Sequence, residues 1–243
     1  MKKYPKPNKK NSESKKNQVT QMFNSISQTY DTSNRLITFG LDLIWRKKVI
    51  SIVKKQKHET ILDIATGTGE LVIALAKLKT KKIVGLDISQ KMLNIGKQKV
   101  ISKKLENRVE MRLGDSENLD YEDSCFDVVT VAFGVRNFEN LEKGLQEIKR
   151  VLKPSGILLV LETAIPTNTF FKVLYNIYAR KIIPFVGRWL SKNNYAYRYL
   201  YDSTIAFPNG ETFNNILRKN GFIDVEDFPQ TFGVSSIYFA KKP

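Results

Sequence analysis

The run Ile61-Leu62-Asp63-Ile64-Ala65 is short and apolar and ends in Thr66-Gly67-Thr68-Gly69, after which Leu71, Ile73, Ala74, Leu75 and Leu78 recur on a helical stripe. A change of period from 2 to 3.6 across two glycines specifies a strand that turns sharply into a helix. Few folds accept that pattern, because a buried strand feeding a helix returns by a right-handed crossover to a parallel neighbour. The alternation continues with strands at Lys82–Leu86, Val109–Leu113, Phe126–Ala132 and Ile157–Leu161. Helices lie between them, from Ser89 to about Val100 and from Leu141 to Leu152, the latter stopped by Pro154 and Gly156. The end differs: a helix at Glu211–Asn220 precedes strands at Phe222–Phe228 and Ser235–Ala240, close enough to pair antiparallel at a sheet edge. The fold class is α/β, a mainly parallel seven-stranded Rossmann-like sheet closed by an antiparallel C-terminal strand.

Three of the strand ends carry chemistry. Gly67 and Gly69 allow a ligand to approach the backbone where the first strand turns. Asp87 ends the second strand, 24 positions after Asp63, where a carboxylate can accept both hydroxyls of a ribose. Gly114-Asp115-Ser116 ends the third, where a carboxylate and a backbone N–H can meet an adenine ring. Together these ends frame one crevice at the carboxyl edge of the sheet. A nicotinamide dinucleotide would want a third glycine and a helix start free of negative charge. Here Leu71 and Val72 fill that region, and Glu70 at the helix head opposes a diphosphate while suiting a cationic sulfonium. The expected cofactor is S-adenosylmethionine, with Asp63, Gly67, Thr68, Gly69, Asp87, Asp115 and Ser116 at its site.

Composition removes other readings. A single cysteine, Cys125, and a single histidine, His58, cannot assemble a disulfide framework or a Cys/His metal site, so no metal is expected. The net charge of +16 invites a nucleic-acid or anionic-membrane partner. Residues 1–18, however, concentrate seven Lys against one Glu with almost nothing apolar, and read as a disordered basic tail before a single domain at 19–243. Lys outnumbers Arg 30 to 10, the reverse of what bidentate phosphate recognition favours, so a solvated surface and no nucleic-acid partner are expected. Base N-methylation usually needs an Asn/Asp-Pro-Pro-aromatic motif after strand four, where this chain has Ala132-Phe133-Gly134-Val135-Arg136. No apolar run approaches the roughly 20 residues needed to span a bilayer. A cytoplasmic protein is expected, with peripheral contact at the inner face of the cell membrane and a homodimer both left open.

Before the sheet, Val19–Tyr30 and the apolar series Leu41, Ile44, Val49, Ile52 and Val53 indicate two N-terminal helices. Before the last two strands, residues 166–207 form an insertion with 11 of the chain's 26 aromatic residues and the cations Arg180, Lys181, Arg188, Lys192 and Arg198. It is expected to be a helical lid on the substrate side, with Phe171, Leu174 and Tyr178 on one face of a helix.

At the crevice residues the sequence resembles a class I methyltransferase, and four further stretches resemble the ubiquinone/menaquinone C-methyltransferase family. These are Phe23-Asn24-Ser25-Ile26-Ser27-Gln28-Thr29-Tyr30-Asp31 running on to Trp45; Phe133-Gly134-Val135-Arg136-Asn137; Arg150-Val151-Leu152-Lys153-Pro154-Ser155-Gly156 through Glu162; and Tyr199-Leu200 with Ser203, Ile205 and Phe207-Pro208. Departures include Ser33 for a Met, Ser155 for a Gly, Ala164 for a Ser, and Asp42 for a His, the last inclining the resemblance to the menaquinone branch. The resemblance implies C-methylation of a polyprenylated quinol, demethylmenaquinol to menaquinol, or in the alternative branch 2-polyprenyl-6-methoxy-1,4-benzoquinol. It implies Thr68, Asp87, Asp115 and Ser116 as cofactor contacts and Arg136 with Asn137 beside the ring. Carbon methylation needs an electron-rich ring, hence a base and a group favouring phenolate. Tyr30, Asp31 and Asp115 are the candidate bases, directly or through water. Arg136 stays protonated and is suited to stabilising the phenolate.

Overall fold

The computed structural model describes residues 5–8, 11–190 and 194–243, with the side chains of residues 180–190, 194 and 197 outside that description. In chain order the elements are α1 (Lys15–Ile26), α2 (Tyr30–Ile37), α3 (Leu41–Val53), β1 (Thr60–Ile64), α4 (Glu70–Leu75), β2 (Lys82–Asp87), α5 (Gln90–Ser102), β3 (Val109–Leu113) and β4 (Phe126–Ala132). They continue with α6 (Leu141–Val151), β5 (Leu152–Thr163), α7 (Thr169–Leu190), α8 (Asn194–Ala206), α9 (Glu211–Lys219), β6 (Ile223–Gln230) and β7 (Ser235–Lys241). The seven strands form one sheet in the order β3-β2-β1-β4-β5-β7-β6. The first five are mutually parallel, and β7 runs antiparallel to both β5 and β6.

Side-chain alternation along the central strands explains why helices cover both faces. On β5, Leu158 and Val160 belong to the core under α6 and α9, whereas Ile157, Leu159 and Leu161 belong to the core under α3, α4 and α5. On β1, Leu62 and Ile64 face the first of these cores and Ile61 the second. A period of 2 with apolar residues on both faces is what a doubly covered parallel strand requires. The next inward position after Ile61 is Asp63, paired in register with Thr130 of β4. Sheet order reverses between β1 and β4, and the crevice opens there.

The N-terminus departs from expectation. Three helices stand where two were expected: α2 fills the interval between the expected pair and is set off from α3 by Gly40 in the left-handed region (φ 76°). The basic segment is also not a solvated tail throughout. Ser14 caps α1 by accepting a hydrogen bond from Asn17 N, and Lys15 and Gln18 are buried. The Lys15 ammonium donates to the carbonyls of Arg136 (2.8 Å) and Phe138 (2.7 Å). Its methylene stem is apolar, so a lysine can be interior where carbonyls take its protons. Val19, Met22 and Ile26 of α1 then pack with Met92, Ala196 and Tyr199, joining α1 to α5 and α8.

The insertion is helical as expected, forming α7 and α8. The side chains of Arg180, Lys181 and Arg188 lie outside that description, and Lys192 lies outside the described residues. Among the described residues no helix is long and apolar enough to cross a membrane.

Candidate functional site

A crevice of about 700 Å³ opens at the carboxyl ends of β1, β2, β3 and β4. Of the residues expected there, Gly67, Asp87, Asp115 and Ser116 line it, together with Tyr30 and Asn137. Gly67 has φ 59°, and a Cβ placed on it would meet nothing within 4 Å, so its bare backbone faces the crevice. The fold needs Gly134 for the opposite reason: a Cβ there would stand 2.5 Å from that of Ala65, where the turn after β4 crosses the end of β1. The Asp87 carboxylate accepts hydrogen bonds from Gly67 N (2.7 Å) and Ser89 N (2.8 Å), which fix both oxygens at the mouth of the turn. Burial raises its pKa. Leu86, Ile88 and Met92 supply an apolar wall. Bare backbone, a pinned carboxylate and an apolar slot beside Asp115 fit a nucleoside with a cationic tail.

Sequence reasoning missed the fourth wall. Lys16, Val19 and Phe23 of α1 line the crevice, and the Lys16 ammonium meets the Asp115 carboxylate at 2.5 Å. An amphipathic stripe ran through Val19 and Phe23, but the lysine-rich start obscured the helix that carries it.

Asp63, Thr68 and Gly69 lie behind the crevice rather than on its surface. Asp63 is buried beneath the turn and accepts from Thr130 Oγ1 (2.6 Å) and Thr66 Oγ1 (2.7 Å), tying β1 to β4 and to the loop. Gly69 adopts φ 78° as the N-cap of α4. Thr68 donates to Asp31 at 2.6 Å, and the other Asp31 oxygen meets Lys99 at 2.6 Å. Lys99 also pairs with Glu70 at 2.6 Å, and Glu70 with Arg35 at 3.2 Å. Thus Asp31 and Glu70 are committed to an ion-pair network joining α2, α4 and α5. Glu70 is not available to a sulfonium as its place in the sequence suggested, because two cations already hold it.

Burial pushes the Asp63 carboxyl up to about 6, against hydroxyl hydrogen bonds that favour the anion. A folded-state value above the unfolded one means protonation favours folding, so this contribution is present in full below about pH 4 and lost as pH rises through about 6. Asp63→Asn removes the titration. The stability of the natural protein relative to this variant is expected to fall by about 2–3 kcal/mol between pH 4 and pH 7, at 1.36 kcal/mol per unit. Parallel denaturation curves for the two proteins across that range would refute the assignment.

A second pocket of about 650 Å³ adjoins the crevice, and Tyr30 and Phe133 line both. Around it stand Asp42 and Arg46 of α3, Arg136 in the 3₁₀ turn after β4, Thr163, and Tyr175 and Thr204 of the insertion. Phe133 sits at φ 57°, a strained setting for an aromatic residue at a site. Arg136 is buried, and its partner is Glu162 of β5 at 2.5 Å, with Phe133 O at 2.8 Å. Parallel pairing of β4 with β5 brings Glu162, distant in the sequence, to Arg136. Asn137 accepts from the Tyr199 hydroxyl at 3.1 Å. Burial pushes the phenols of Tyr30 and Tyr175 up, the latter to about 12, so both are hydrogen-bond donors at neutral pH.

Comparison with known proteins agrees with this arrangement. The model described as the ubiE/COQ5 methyltransferase family matches residues 10–242. A demethylmenaquinone methyltransferase of Bacteroides fragilis is 41% identical over 229 residues, 94% of each chain. A ubiquinone/menaquinone biosynthesis C-methyltransferase UbiE of Geotalea daltonii is 36% identical over 226 residues, 92% of this chain and 96% of that one. In the solved structure of a SAM-dependent methyltransferase from Aquifex aeolicus the same fold recurs with a TM-score of 0.65 at 19% identity, over 90% of this chain and 98% of the other. With a family match running from the first turns before α1 to the last strand, the chain belongs to the ubiE/COQ5 methyltransferase family.

Proposed function

We propose that this enzyme transfers a methyl group from S-adenosylmethionine to a ring carbon of a polyprenylated quinol, converting demethylmenaquinol to menaquinol. The observation that carries this reading is the shared wall: Tyr30 and Phe133 line both the crevice and a second pocket that also holds Arg46, Arg136 and Tyr175. When bound, S-adenosylmethionine supplies an electrophilic methyl carbon. Gly67 and Asp87 would hold its ribose end, and Asp115 with Ser116 its adenine.

The remaining work falls to the second pocket. Arg136 donates to a ring oxygen and favours its ionised form, which raises electron density at the neighbouring carbon. Glu162 fixes the guanidinium so that little reorganisation is needed as charge develops. Tyr30 remains protonated and serves as a donor rather than the base. Asp31 and Asp115 are committed to Lys99 and Lys16, outside this pocket. The proton released from the ring passes to water, because Asp42, the one carboxylate among the described residues lining the pocket, is held by Arg35 (2.7 Å) and Arg46 (2.5 Å).

A lipid-tailed substrate reaches this pocket at a membrane surface. Phe170, Val173, Leu174 and Ile177 make an exposed stripe along α7 at helical spacing. Phe39 and Phe232 extend it, packed against Tyr178 and Phe171 respectively. On the same helix Tyr175 lines the pocket, so one element presents an apolar edge outward and a phenol inward. The stripe enters the bilayer interface and the polyprenyl chain follows it.

The test measures methyl transfer from labelled cofactor to demethylmenaquinol in anionic vesicles, against 2-polyprenyl-6-methoxy-1,4-benzoquinol and bulk RNA. Preferential transfer to demethylmenaquinol is expected. Phe170→Asp/Ile177→Asp should lose most vesicle turnover, tenfold or about 1.4 kcal/mol in apparent affinity, and keep turnover on a short-chain quinol in solution. Equal loss on both substrates contradicts the membrane role, and transfer to RNA alone contradicts the function.

A further inference from the structure

The second pocket is lined by two buried arginines, Arg136 and Arg46, each with an Nε–H that finds no hydrogen-bond partner among the described residues. Arg46 lies one helical turn after Asp42 on α3 and donates from one end, to Asp42 Oδ2 at 2.5 Å and to the Asp42 carbonyl at 3.3 Å. Asp42 is itself immobilised by Arg35 and by the Thr38 hydroxyl at 2.9 Å. The guanidinium of Arg46 lies 5.4 Å from the ring centre of Phe133, on the wall shared with the crevice. Both cations act on the same phenol, that of Tyr30, and each opposes the rise that burial imposes on it. A charged donor that is buried without an acceptor is a cost the fold does not need for α3 to pack. An acceptor oxygen on a bound ligand removes it.

We propose that Arg46 is a specificity-determining residue: its Nε–H donates to the second oxygen of a 1,4-dihydroxy aromatic ring, while Arg136 holds the oxygen beside the carbon that is methylated. The inference rests on the quinol reading above. The pocket then recognises a pair of ring oxygens, since a ring with one oxygen leaves the Arg46 donor buried and unmatched, and sites built to bond a polar group discriminate strongly against analogues lacking it.

The experiment compares kcat/KM, under anaerobic conditions, for 2-prenylnaphthalene-1,4-diol and 3-prenyl-1-naphthol. The second compound keeps the oxygen next to the methylated carbon and lacks the other. Because the diol is intrinsically more reactive, the quantity read is the diol-to-naphthol ratio in each variant relative to the natural enzyme. Arg46→Met is expected to lower that ratio at least tenfold, mainly through the diol. Arg46→Lys keeps the ion pair with Asp42 and loses the Nε–H, and should lower it at least fivefold, which covers the case in which Met prevents folding. S-adenosylhomocysteine affinity should stay within about twofold in both. Arg136→Met should depress both substrates together. A ratio unchanged within twofold in Arg46→Lys, whatever happens to total activity, overturns the proposal. An unmodified enzyme that methylates neither compound overturns the functional reading itself.

Discussion

Arg136→Ala is expected to reduce kcat on the quinol by on the order of 10²-fold or more while S-adenosylmethionine affinity stays nearly constant, because the interaction strengthens as charge develops on the ring oxygen. The variant also strands Glu162, which is fully buried and pairs with Arg136. Breaking a buried pair from one side costs about 3–5 kcal/mol, so a fall in melting temperature accompanies the loss of turnover. The two effects separate in Arg136→Ala/Glu162→Gln, where no buried charge is left over: stability should largely return and turnover should not. Arg136→Lys should rescue only part of the rate, since it restores charge without the planar fork. Normal single-turnover rates in a stable double variant would remove Arg136 from the chemistry and leave it a structural cation.

Deleting residues 1–18 is expected to lower the unfolding free energy by about 2–4 kcal/mol, because Lys15 leaves two buried carbonyls without their donor. Both carbonyls belong to the segment after β4 that carries Arg136. Cofactor affinity should fall about tenfold as well, or about 1.4 kcal/mol, since Lys16 leaves Asp115 and the wall of α1 frays. Chemical denaturation and calorimetry check the two parts. A truncated protein of unchanged stability and affinity would return the segment to the status of a solvated tail.

The parts of this molecule legible in its sequence are those set by local periodicity. Strands β3 and β4 begin and end where the sequence pattern placed them, at Val109–Leu113 and Phe126–Ala132. The crossover rule made the strands parallel, and the order found in the structure, β3-β2-β1-β4, fixes where Gly67, Asp87 and Asp115 meet. What could not be read was long-range pairing of charges. Asp31 and Glu70 looked free as base and sulfonium partner, yet Lys99, on a different helix from either, holds both. Lys15 and Lys16 were hidden by composition, since seven lysines in eighteen residues carry no apolar signal. Their acceptors lie more than ninety positions away. Asp42 stood out only as a departure from the family's histidine, and its link to Arg46 and the second pocket required the fold.

Where the methyl group goes decides the account. With S-adenosylmethionine carrying a ¹³C-methyl group and demethylmenaquinol as acceptor, the product's carbon spectrum distinguishes a methyl on a ring carbon from one on an oxygen. A ring-carbon methyl, adjacent to a ring hydroxyl and formed on the order of 10²-fold or more slowly by Arg136→Ala, is the result predicted here. A methyl ether, or label that never reaches the quinol, would contradict it.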